Sequence, residues 1–101
     1  MAVFIVLAAM LGVQLPPPAY DYPPRVRVQI IEGTQAEVHR VCRKASRYSG
    51  SGSILACAIP GKRVCVILWP RHLKKSGALW RHERSHCNGW VHSRKDDRCI
   101  S

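Results

Sequence analysis

The sequence predicts a small α+β domain, on three observations: a period-two pattern after Arg25, a capping box at Thr34, and two β-branched runs flanking Pro60-Gly61-Lys62. From Arg25, Val26, Val28 and Ile30 alternate with Arg27 and Gln29, the pattern of a half-buried strand that ends at Gly33. Thr34 and Glu37, three apart, can each satisfy an orphan amide of a first helical turn, and Val38, Val41, Cys42 and Ala45 then share one helical face. Gly50-Ser51-Gly52 is the loop that follows. Ile54 to Ile59 and Arg63 to Trp69 read as a hairpin around Pro60-Gly61-Lys62, and Pro70 closes its second strand. From about His72 or Ser76 to Asn88 the chain has helical character, with Gly89 where a helix would stop. Strand, helix, hairpin, helix is the order of a sheet packed against a C-terminal helix.

This domain occupies residues 25–101, and residues 1–24 read differently. Ala2 to Val13 is an apolar stretch with the length of a signal-peptide core, too short to span a bilayer comfortably. A signal or uncleaved anchor is the expectation, and with it an exported location: periplasmic, extracellular or membrane-anchored. The signal is imperfect, because no Lys or Arg precedes the apolar stretch, and Pro17 stands where cleavage after Ala19 calls for a small residue. Pro16-Pro17-Pro18 and Pro23-Pro24, with Tyr20 and Tyr22 between, read as an extended proline-rich linker.

So short a domain has a small core and needs disulfides, a metal or a partner. Cys42, Cys57, Cys65, Cys87 and Cys99 contain no C-x-x-C pair, so disulfides are favoured over a cysteine-only metal site. Spacing alone does not decide the pairing; Cys57 with Cys65 across the turn, and Cys87 with Cys99, are the two candidate bridges. The formal net charge is +10, from 16 Lys and Arg against 6 Asp and Glu, and all the cations follow Pro24. Such a surface attracts anionic lipid, wall polymer or other polyanions. The cations are scattered, and no nucleic-acid-binding motif accompanies them, so specific nucleic-acid recognition is not expected.

His82 and His86 stand four apart, which on a helix places both imidazoles on one face within reach of one metal ion, and zinc suits imidazole. Glu83 projects beside that ion, where it can take a proton from a metal-bound water. Gly89, three residues on, can end the helix and turn the chain back, bringing His92 round as a third ligand. Asp96 and Asp97 are the rival third ligands. Cys87 is a rival fourth ligand, which would make the site closed and structural. Trp80 and Trp90 read as core or cleft-wall aromatics, and His39 and His72 as surface residues.

His82, Glu83, His86, Gly89 and His92 match the H-E-x-x-H-x-x-G-x-x-H signature, and over these eleven residues the chain resembles the metzincin zinc peptidases. The resemblance implies three histidine ligands, a water on the open fourth position, Glu83 as base, and a cleft between the active-site helix and an edge strand that holds peptide. Here the hairpin from Ile54 to Trp69 would supply that strand. Metzincins continue to a methionine-containing turn, whereas here the only methionines are Met1 and Met10 and nine residues follow His92. The resemblance therefore narrows to a minimal zincin-like domain. Arg84 also departs, since zincins commonly carry an apolar residue there. The implied function is zinc-dependent hydrolysis of peptide or peptidoglycan-type amide bonds. The alternative is a basic, disulfide-stabilised binding module, associated with a polyanion or nucleic acid, with structural zinc or none.

Overall fold

The computed structural model describes residues 13–46 and 53–91. The order is β1 (Arg27–Gly33), α1 (Gln35–Ser46), β2 (Cys57–Ile59), β3 (Val64–Pro70) and α2 (Gly77–His86). The three strands form one sheet in the order β1-β3-β2, with β1 parallel and β2 antiparallel to the central β3. The α+β class and the hairpin are as expected, but its first strand is Cys57–Ile59 instead of Ile54 to Ile59, and its second runs through Pro70.

Local chemistry sets the helix boundaries. The capping box opens α1: the Thr34 amide donates to Glu37 Oε1 at 2.9 Å, and the Glu37 amide donates to Thr34 Oγ1 at 3.2 Å. Helix α2 starts after Ser76 and ends in a Schellman motif around Gly89, whose φ is +97°. The Trp90 amide donates back to the Ser85 carbonyl (3.2 Å) and the Gly89 amide to that of His86 (3.1 Å).

The alternation of β3 sorts the core into two layers. Leu68 and its β2 partner Cys57 point to the face that holds Val38 and Cys42 of α1, with Ile54 and Val66 beside them. Ile67 and Trp69 point to the opposite face, against Leu73, Leu79, Trp80 and Cys87. A helix thus covers each face of a three-stranded sheet, one layer more than a single helix on a sheet. On β1 the expected alternation holds less well. Val28 is half-buried in the α2 layer, but Ile30 is exposed because β1 lies at the sheet edge.

The candidate cysteine pairs are corrected. The bridges are Cys42–Cys57 and Cys65–Cys87. Cys57 lies on the α1 face, while Cys65, two residues before Ile67, lies on the α2 face, so these two cysteines cannot meet across the hairpin. Each bridge instead staples one helix to its own face of the sheet. Cys87 is thereby removed as a fourth metal ligand, and Cys99 lies outside the described residues. Two disulfides point to an oxidising, exported compartment. Among the described residues, no helix is long and apolar enough to cross a membrane. Except for Val13, the stretch Ala2 to Val13 lies outside them.

Residues 14–22 do not stand clear of the domain as a linker would. Pro16 is buried, the Tyr20 amide closes a turn on the Pro17 carbonyl at 2.9 Å, and the segment lies along α2.

The Cys42–Cys57 bridge closes a loop with a sequence separation of 15, for which chain entropy gives about 3 kcal/mol. Replacing both cysteines with alanine is expected to lower unfolding stability by about that amount in a denaturant titration. An unchanged midpoint would show that the bridge does not constrain the chain.

Candidate metal centre

The helical spacing brings His82, Glu83 and His86 together on α2, where all three are buried: 1 % of His82 and Glu83 is exposed, and 6 % of His86. Each offers a ligand atom within 4.8 Å of the others, a group that could hold a metal ion. Trp90, also buried, folds back over the two histidines after the Gly89 turn. The indole stacks on the His86 ring, with centroids 5.1 Å apart and planes 11° from parallel. It meets His82 edge-on at 5.0 Å.

The tautomers follow from the hydrogen bonds. His82 Nδ1 lies 2.5 Å from the Gln14 carbonyl, and His86 Nδ1 lies 2.7 Å from the Trp90 carbonyl. A carbonyl only accepts, so both Nδ1 atoms carry the proton and donate it. In the neutral ring this leaves the lone pair on Nε2. The two Nε2 atoms face each other at 3.2 Å. Two lone pairs at that distance repel, so a proton or a cation belongs between them. Nitrogens bound at 2.0–2.1 Å to a tetrahedral zinc would stand about 3.3 Å apart, close to the separation seen. A backbone carbonyl on the far ring nitrogen is also one of the ways in which proteins orient metal-ligating histidines. The donor set therefore fits a metal.

His92, Asp96 and Asp97 lie outside the described residues. His39 is half-buried: its Nδ1 accepts from the Ile54 amide at 2.9 Å and ties α1 to the loop before β2. His72 is exposed, and Trp80 packs edge-on against Trp69 with centroids 5.2 Å apart. The sequence marks Trp90 as a core or cleft-wall aromatic, and it is buried, but the part played by its backbone carbonyl is not marked except by the return of the chain at Gly89.

Sequence reasoning also missed Gln14 and Asp21. The Asp21 carboxylate accepts from both Arg81 and Arg84, which flank the His82-Glu83 pair on α2. Arg84, where zincins carry an apolar residue, thus faces the N-terminal segment. The hydrogen bond from Arg81, aided by Arg84, holds the Asp21 carboxyl below its ordinary value of 3.8. Asn88 Nδ2 donates to the Tyr20 and Tyr22 carbonyls at 2.8 and 2.7 Å. No family model, curated protein or solved structure matches this chain, so the chemistry of the site follows from its own residues.

Because the folded Asp21 carboxyl titrates below its unfolded value, the clasp contributes stability that is full above pH 3.8 and is lost as pH falls through the lower folded value. In acid titrations followed by thermal melting, Asp21→Asn is expected to remove this component. The wild type should exceed the variant near neutrality and converge with it in strong acid. A constant gap down to pH 2 would contradict the clasp. At Gly89, a Cβ would meet nothing within 4 Å, so the cost of alanine there is conformational. Gly89→Ala is expected to lower stability by about 1–2 kcal/mol, with a matching change in Trp90 fluorescence; an unshifted melting point would refute the role of the turn.

Proposed function

We propose that this chain is a minimal zincin-like zinc hydrolase that cleaves peptide or cell-wall amide bonds, with His82 and His86 as metal ligands, His92 as the third, and Glu83 as the base. The observation that carries this reading is the facing pair of Nε2 atoms at 3.2 Å, each ring held by a carbonyl on its other nitrogen, with the Glu83 carboxylate in the same cluster. A bound zinc would supply a Lewis acid and make a water nucleophilic near neutral pH. His82 and His86 would present their Nε2 lone pairs to it, and the Gln14 and Trp90 carbonyls would keep the rings from rotating. Glu83 Oε accepts a proton from the attacking water and returns it to the leaving amine. Trp90 excludes solvent from one side of the pair. Among the described residues β2 lies at the edge of the sheet, on the α2-covered side of which its Ala58 packs, and an extended peptide would pair with that edge.

The burial of all three side chains favours a second reading, in which the metal is structural and the basic, disulfide-stapled domain binds an anionic partner. The two readings separate on Glu83. Glu83→Ala is expected to retain one zinc per chain by elemental analysis and to lose about 10²–10⁴-fold in the rate of peptide-library digestion. His86→Ala is expected to lose the zinc itself. Full activity in Glu83→Ala would exclude the hydrolytic mechanism, and undiminished zinc in His86→Ala would exclude the ligand assignment.

A further inference from the structure

The site-bearing helix is gripped along its length by a segment 60 to 70 positions earlier in the chain. The grip has three independent points. The Gln14 carbonyl accepts from His82 Nδ1, Asp21 bridges Arg81 and Arg84, and Asn88 donates to the Tyr20 and Tyr22 carbonyls. Between them Pro16 is buried and the Tyr20 amide closes a turn on the Pro17 carbonyl. Polar contacts so distributed exceed what is needed to park a spacer. Only one of them, the Gln14 carbonyl, touches a proposed ligand; the other two hold that carbonyl in place.

We infer that residues 14–22 form a strap that belongs to the metal site, with the Gln14 carbonyl fixing His82 in its Nδ1–H tautomer and Asp21 and Asn88 acting as positioning residues that hold the strap on α2. This rests on the metal-ligand reading of His82 and deepens it. A free imidazole favours the tautomer with the proton on Nε2, which would aim an N–H, not a lone pair, at the metal. A carbonyl on Nδ1 reverses that preference and orients the ring. His86 receives the same service locally, from Trp90 four residues on, because the Gly89 turn returns the chain to it. His82 sits a full turn further from that turn, and its partner comes from the strap instead. The chain from Gln14 onward is thus part of the working site. Cleavage after Ala19, at the position of the imperfect signal site, would remove the His82 partner while leaving Asp21 behind.

The test uses the full chain and two readouts. The first is the nitrogen and proton spectrum of the histidine rings in metal-free protein near neutral pH, which reports the tautomer of His82. The second is zinc affinity measured by competition with a chelator. Asp21→Ala combined with Asn88→Ala is expected to lose the hydrogen-bonded Nδ1–H signal of His82, keep that of His86, and weaken zinc binding by about 10–100-fold. Asp21→Glu alone should keep both. An unchanged His82 tautomer and unchanged affinity in the double variant would overturn the proposal. If that variant does not fold, an ester in place of the Gln14–Leu15 peptide bond weakens the Gln14 carbonyl as acceptor and removes the Leu15 N–H without altering any side chain, and the same two readouts decide. Should the wild type bind no zinc, the ligand reading fails, and the tautomer spectrum still decides whether the strap sets the His82 ring.

Discussion

The structure depends on the two-sided burial of β3. Its alternation sends Leu68 toward α1 and Ile67 and Trp69 toward α2, and a three-stranded sheet with both faces covered can order two helices in so short a chain. The two disulfides obey the same alternation, one on each face. The bridge at Cys87 ties the end of α2 to β3 one residue after His86, so the site lies beside a covalent anchor.

Upon this frame the candidate centre is assembled by carbonyls. Two imidazoles four residues apart share a face on any helix, but nothing in the helix fixes which nitrogen bears the proton. Here the neighbouring carbonyls of Gln14 and Trp90 do so, and the lone pairs converge as a result. The strap along α2 is therefore tied to the geometry of the pair and not only to its burial.

Those parts of the molecule that follow from local chemistry were legible in the sequence. Thr34 and Glu37 announced the start of α1, Gly89 the end of α2, and the spacing of His82, Glu83 and His86 their meeting. The rest depends on long-range geometry. Cys57 and Cys65 are near in sequence yet lie on opposite faces, a matter of register that spacing does not encode. The proline-rich stretch reads as a linker by composition because its contacts run through the carbonyls of Gln14, Tyr20 and Tyr22, a group every residue possesses. Asp21 was the one side chain there that could have signalled docking, since it is the first acid in a chain whose cations all follow it. The role of Glu83 and the third ligand at His92 rest on the spacing of the motif and its resemblance to the metzincins, and the described residues test neither.

Zinc-edge X-ray absorption on the purified chain decides whether the facing imidazoles hold zinc, as proposed. Nitrogen scatterers are expected at about 2.0–2.1 Å with the multiple-scattering pattern of at least two imidazoles, and no sulfur near about 2.3 Å. Sulfur bound to the metal, or protein that carries no zinc after exposure to it, would overturn the ligand assignment.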